Sequence, residues 1–261
     1  MSPVLLAVLI VGGVALAAGV LLAVASVLLA VPVNEKAEKI RAALPGANCG
    51  GCGFSGCDAY AAAIAEGKAA PTLCAPGGEE AAKAIAAVVG GEVTVEKKIA
   101  VIRCGGCEER AVQQAGYANV STCAEAARLF GGGKGCLYGC LGLGDCAVAC
   151  PFHAVTVENG IARVDPAVCR GCGACVAACP KKLPALIPAT EQAVVMCRNT
   201  DKGAAVRKVC TVGCIGCGKC VKTCPSEAIR LNGALAEVDP AACVGCGACV
   251  AECPVKCLTL A

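Results

Sequence analysis

The chain has no tryptophan, three phenylalanines, three tyrosines and a single histidine. So few aromatic faces leave little on which bases or a flavin ring could stack, which excludes a nucleic-acid role as the leading reading. His153, the lone imidazole, follows Cys150-Pro151-Phe152 on a predicted hairpin and reads as a surface residue rather than a ligand or an acid–base group. No G-x-G-x-x-G opens a helix after a strand, and Gly131-Gly132-Gly133-Lys134-Gly135 lacks the P-loop spacing and its Ser or Thr, so it reads as a flexible loop. No nucleophile–base pair stands out. The absences point to a chain that carries something, with no catalytic residues of its own.

Charge is missing from one region altogether. Residues 1–33 contain no charged side chain, and Val4 to Val33 is almost wholly Val, Leu, Ala, Ile and Gly. Such a run exceeds the roughly 20 residues that cross a bilayer and is too long for a signal-peptide core of about 7–15. No Lys or Arg precedes it, while Lys36, Lys39, Arg41 and Lys68 follow. The positive-inside rule then predicts a single transmembrane helix in the plasma (inner) membrane, with the N-terminus outside and everything after residue 34 in the cytoplasm. That compartment is reducing and disfavours structural disulfides.

Cysteine is what the chain has in abundance, 26 of 261 residues. At this density, without disulfides, the thiols are metal ligands. Cys214-x2-Cys217-x2-Cys220-x3-Cys224-Pro225 and Cys243-x2-Cys246-x2-Cys249-x3-Cys253-Pro254 each follow the bacterial ferredoxin spacing. In that spacing three close thiolates hold one [4Fe–4S] cube and the fourth reaches the neighbouring cube. Cys214, Cys217, Cys220 and Cys253 therefore form one ligand set, and Cys243, Cys246, Cys249 and Cys224 the other.

A shift of 74 residues repeats the pattern. It lays Cys123, Cys136, Cys140, Cys146 and Cys150 on Cys197, Cys210, Cys214, Cys220 and Cys224, and Cys169, Cys172, Cys175 and Cys179 on the four Cys of the last run. Between the runs of each copy, two short apolar segments around an Asn-Gly turn predict a β-hairpin. One place is irregular, because Leu143 stands where the second copy has Cys217. The simplest repair gives one cluster to Cys136, Cys140, Cys146 and Cys179 and the other to Cys169, Cys172, Cys175 and Cys150; a three-thiolate [3Fe–4S] cluster is the rival.

Upstream, Cys49-x2-Cys52-x4-Cys57-x16-Cys74 supplies four thiolates in a Gly-rich setting that suits a third type of [4Fe–4S] site, with zinc as the alternative. Five clusters result. Cys104, Cys107, Cys123, Cys197, Cys210 and Cys257 remain, and a sixth cluster on Cys104, Cys107 and Cys123 plus one further thiol competes with their being buried small hydrophobes. The fold class is α+β: a transmembrane helix (1–33), a mostly helical 4Fe–4S domain (34–91), a connecting segment with extra Cys (92–130) and two ferredoxin-like modules (131–190 and 191–261). Thr94 to Arg103 reads as a strand, and the residues leading to Cys123 as helical.

The order of span, Cys49–Cys74 motif and paired ferredoxin modules resembles the B subunit of the Rnf complex, the ion-translocating ferredoxin:NAD⁺ oxidoreductase, in its longer form. The resemblance implies a subunit that accepts electrons from soluble ferredoxin and relays them to membrane-bound partners whose flavin and NAD sites lie on other subunits, while Na⁺ or H⁺ is moved. An electron-transfer subunit of another membrane oxidoreductase, a hydrogenase or a quinone-linked reductase, is the alternative. From Lys134 to Ala261 the chain carries 13 basic and 9 acidic side chains. Lys181, Lys182, Arg198, Lys202, Arg207 and Lys208 are the candidates for a face that meets an acidic partner.

Overall fold

The computed structural model describes residues 3–28, 34–116, 119–129 and 131–261, without the side chains of 4–10 and 27–28. Helix α1 (Pro3–Leu28) contains no charged residue, and its described side chains are mostly exposed, Leu16 and Leu21 at 72% each. Among the described residues no helix is long and apolar enough to cross a membrane. The span expected over 1–33 thus lies partly outside what is described.

A small helical domain follows. Helix α2 (Glu35–Ala43) starts where the Asn34 side chain accepts the Lys36 and Ala37 amides, and it ends at Leu44 before a proline. Helices α3 (Cys57–Ala65) and α4 (Gly78–Val89) pack on it, enclosing Ile40, Tyr60, Ile64 and Ile85, each no more than 1% exposed. An Arg41–Asp58 contact of 2.7 Å ties α2 to α3 at the surface.

The first module is larger than the cysteine repeat suggests. Strand β1 (Lys98–Ile102) pairs antiparallel with the module's last strand, Lys98 opposite Pro188 and Ile102 opposite Pro184. Residues assigned by sequence to the connector therefore form half of this module's outer sheet. The physical reason is apolar content: Ile99, Ala100 and Ile102 are buried in the same core as Cys140, Cys150, Cys169 and Leu183. After β1 come α5 (Cys123–Arg128), α6 (Asp145–Val148), the hairpin of β2 (Val155–Glu158) and β3 (Ile161–Val164), α7 (Ala174–Ala178) and β4 (Pro184–Pro188). The stretch expected to be helical before Cys123 instead carries isolated bridges, Ala111 to Cys210 and Gln113 to Lys134.

The second module repeats the plan with β5 (Ala193–Val195), α8 (Gly203–Val209), α9 (Lys219–Thr223), the hairpin of β6 (Ile229–Asn232) and β7 (Leu235–Val238), α10 (Ala248–Ala251) and β8 (Leu258–Leu260), β5 pairing with β8. The two hairpins turn differently. Module one uses Asn159-Gly160, both at positive φ, while module two turns on Gly233-Ala234 with only the glycine positive, consistent with the two mirror-type hairpin turns.

Candidate metal centres

The Cys49–Cys74 set is built by a loop and a helix start. Asn48, at φ 46°, turns its side-chain oxygen onto the Cys57 amide at 2.8 Å and so fixes the first residue of α3 against the loop. The Tyr60 hydroxyl donates to the Ala70 carbonyl at 2.8 Å and accepts from the Leu73 amide at 3.1 Å, which anchors the Cys74 loop; burial pushes this phenol up to about 12. Cys49, Cys52, Cys57 and Cys74 line one cavity.

In the second module Cys220 sits in the field of Cys214, Cys217 and Cys253, and Cys249 in that of Cys243, Cys224 and Cys246. Both predicted crossed sets are therefore brought together, each with the far cysteine of the other run. Burial raises both thiols, Cys220 to about 11. Four Cys-Pro-x-x turns close the runs: the amides of His153, Lys182, Glu227 and Lys256 bond back to the carbonyls of Cys150, Cys179, Cys224 and Cys253 at 3.0–3.4 Å, and all four residues sit at φ near +50°. His153 is thus a turn residue. The next amide of these turns reaches sulfur, Ala154 to Cys150 at 3.4 Å and Cys257 to Cys253 at 3.2 Å.

In the first module Cys175 faces Cys169, Cys172 and Cys150, the thiols of the regular spacing, and is pushed by burial to about 11. The module's other set differs from the sequence reading. One cavity is lined by Cys123, Cys140, Cys146 and Cys179, and Cys136 is not among its walls. Cys146, driven up to about 12 by burial, faces Cys140, Cys179 and Cys123. Cys123 thus stands beside Cys140, Cys146 and Cys179, where the spacing had put Cys136. The reason is local: the Asp145 carboxylate accepts the Cys123 and Ala124 amides at 2.7 and 3.0 Å, and Thr122 with Glu125 forms a capping box that starts α5 at Cys123. The Leu143 amide bonds to Cys123, so the thiol lies over the gap that Leu143 leaves. The Thr-x-x-Glu signature of this cap was readable in the sequence.

Of the trio Cys104, Cys107 and Cys123, one candidate set for a sixth cluster, Cys104 and Cys123 line different cavities. Cys104 lines a third cavity, which also receives Cys136, Cys197 and Cys210. Cys107 is buried in the module core. Cys257 lies between Cys197 and Cys214 and hydrogen-bonds both; those bonds hold its own proton firmly and lower Cys197 and Cys214 to about 6. Lys134, expected in a flexible loop, is 6% exposed and donates to the Gly106 and Gly160 carbonyls at 2.8 and 2.7 Å.

Neighbouring sets touch. A Cβ on Gly51 would run into the Cys172 carbonyl oxygen, so the Cys49–Cys52 loop is seated on a thiol-bearing loop of the first module, and Cys172 feels the charge of Cys49. Cys146 in turn feels Cys175 across the module.

These thiols surround voids instead of converging on points. Among the described residues no three or more His, Cys, Asp or Glu side chains are grouped for a single metal ion, whereas an inorganic cube separates its ligands around its own volume. All-thiolate donors with backbone amides aimed at sulfur fit iron–sulfur clusters. Fold and donor sets together define a multi-cluster ferredoxin-type electron carrier.

Comparison with known proteins agrees. An Fe-S cluster family model matches residues 44–76, and 4Fe-4S dicluster domain models match 134–180 and 213–257. The chain is 45% identical over 92% of its length to the B subunit of the Na(+)-translocating ferredoxin:NAD(+) oxidoreductase complex of Acetobacterium woodii, covering 72% of that protein. It is 45% identical to the B subunit of the ion-translocating oxidoreductase complex of Methanosarcina acetivorans, with 92% of each chain covered. The proton-translocating counterpart from Clostridium ljungdahlii is 40% identical over 92% of this chain and 85% of its own. The chain belongs to this family, the B subunits of the Rnf-type ion-translocating oxidoreductase complexes, and is an iron–sulfur electron-transfer subunit.

Proposed function

We propose that this chain accepts electrons from soluble ferredoxin and passes them, through clusters held by its own thiolates, to partner subunits that carry flavin and NAD sites, within a complex that couples the flow to Na⁺ or H⁺ movement. The observation that carries the reading is the succession of thiol-lined cavities from the Cys49–Cys74 domain into the first module. Bound clusters supply one-electron transfer at low potential. The chain's own residues hold the cubes, exclude water from them and aim amides at sulfur. The ligand sets in this reading are Cys49/Cys52/Cys57/Cys74, Cys150/Cys169/Cys172/Cys175, Cys123/Cys140/Cys146/Cys179, Cys214/Cys217/Cys220/Cys253 and Cys224/Cys243/Cys246/Cys249.

Residues 1–33 are proposed to anchor the chain in the plasma membrane, with the iron–sulfur domains on the cytoplasmic side. The uncharged run and the exposed leucines and valines of α1 support this. Ferredoxin is proposed to dock near Lys182, Arg198, Lys202, Arg207 and Lys208, all exposed. Lys181 is partly covered and donates to the Leu137 carbonyl, so it contributes less. Charge reversal at Lys202, Arg207 and Lys208 together is expected to slow reduction by ferredoxin roughly tenfold at low salt and little at high salt. Stopped-flow rates across a salt series check this, and an unchanged salt dependence removes the docking face.

A further inference from the structure

Four thiols outside the five sets line one cavity, as four thiols line each of two others. They are Cys104 and Cys136 from the first module and Cys197 and Cys210 from the second. The arrangement is pseudo-symmetric. Cys104 and Cys197 each lie two residues past the module's first strand, and each accepts a bond from the amide of a ligand of its own module, Cys140 at 3.4 Å in one and Cys214 in the other. Cys136 and Cys210 each lie four residues before that ligand. The 74-residue shift hides this, because the segment inserted after β1 makes Cys197 coincide with Cys123 although its structural counterpart is Cys104.

The walls are built for a bulky anionic group. Asn199, 1% exposed, sends its backbone amide to Cys197 at 3.4 Å and its side-chain amide to Cys136 at 3.5 Å. The buried Lys134 lies at one wall, and Arg103 and Arg198 line others. Gly106 faces the cavity with no side chain, and a Cβ there would stand 3.3 Å from the Cys210 sulfur and 3.8 Å from that of Cys104. The rim is stitched across the modules by Gly105 to Met196 at 3.0 Å, Val112 to Val209 at 2.9 Å and Thr211 to Arg110 at 2.9 Å.

We propose that Cys104, Cys136, Cys197 and Cys210 ligate a sixth [4Fe–4S] cluster, shared between the two modules. It rests on the iron–sulfur relay reading and completes it: Cys104 contacts the Cys123/Cys140 set through the Cys140 amide, and Cys197 contacts the Cys214 set through Cys257. The site bridges the two modules, and Cys107 and Cys257 remain unligated.

Iron and acid-labile sulfide per anaerobically purified full-length chain test this without ferredoxin. The expected values are about 24 iron for the native chain and for Cys107→Ala, and about 20 for Cys197→Ser/Cys210→Ser with the EPR signals of the other clusters kept. A native chain with about 20 iron, or a double variant that keeps about 24, overturns the proposal. Should the double variant fail to fold, Cys136→Ser, at a half-buried position, is read with and without Leu143→Cys instead: loss of about one to four iron that Leu143→Cys does not restore supports the site, and unchanged or restored iron overturns it. Ferredoxin reduction does not enter this count, so failure of the relay reading leaves a different record from failure of the site.

Discussion

Replacing Cys123 with Ser is expected to lower iron by about one to four atoms per chain, and adding Leu143→Cys is expected to restore it. The range spans conversion to a three-iron cluster and outright loss. Position is the reason: Cys123 shares a cavity with Cys140, Cys146 and Cys179, and its thiol lies beside the Leu143 backbone where a regular ferredoxin run would place a ligand. Leu143 is 38% exposed, so a cysteine there displaces no core packing. Cys136→Ser is also expected to lower iron, from the proposed inter-module site, without rescue by Leu143→Cys. Iron analysis with EPR of the four variants separates the two roles. Rescue of Cys136→Ser, with none for Cys123→Ser, would return the ligand to the position expected from spacing alone.

Gly51→Ala carries the second large effect. The glycine has no unusual backbone angle, so the added methyl acts only through contact, and that contact is the Cys172 carbonyl. Overpacking of this kind costs about 1–3 kcal/mol, which lowers the docked population of the Cys49–Cys74 domain roughly 5- to 150-fold if the seat is released. The expected result is full iron content with electron exchange between this domain and the first module slowed by a comparable factor, read by rapid-freeze EPR. Unchanged exchange would mean that electrons do not pass between Cys49 and Cys172.

Much of this was legible in the sequence because cluster ligation is local. In the ferredoxin spacing three of four ligands are fixed by C-x2-C-x2-C and the fourth by the Cys-Pro turn of the partner run, and the structure of the second module brings those thiols near one another. The Cys49–Cys74 domain was read from the same kind of local spacing, and helices α2, α3 and α4 lie within the stretch 34–91 read as mostly helical. The rest depended on tertiary placement. Nothing in spacing alone ranks Cys123 above Cys136; that choice is made by the Asp145 carboxylate, more than twenty residues away in the chain, gripping the start of α5. The inserted segment after β1 likewise moved the repeat's alignment off its structural register. Lys134 read as a loop residue because its partners, the Gly106 and Gly160 carbonyls, are brought to it only by the fold. For the Cys49–Cys74 set it is the Fe-S family model over residues 44–76 that favours iron–sulfur chemistry over zinc.

The central claim is that this chain is a conduit for electrons from ferredoxin. Mixing the anaerobically purified, iron-loaded protein with reduced ferredoxin and following cluster absorbance and low-temperature EPR tests it directly. The expected result is rapid bleaching with the appearance of several reduced-cluster signals. Clusters that stay oxidised in the presence of excess reduced ferredoxin, or a chain that isolates with zinc in place of iron, would contradict it.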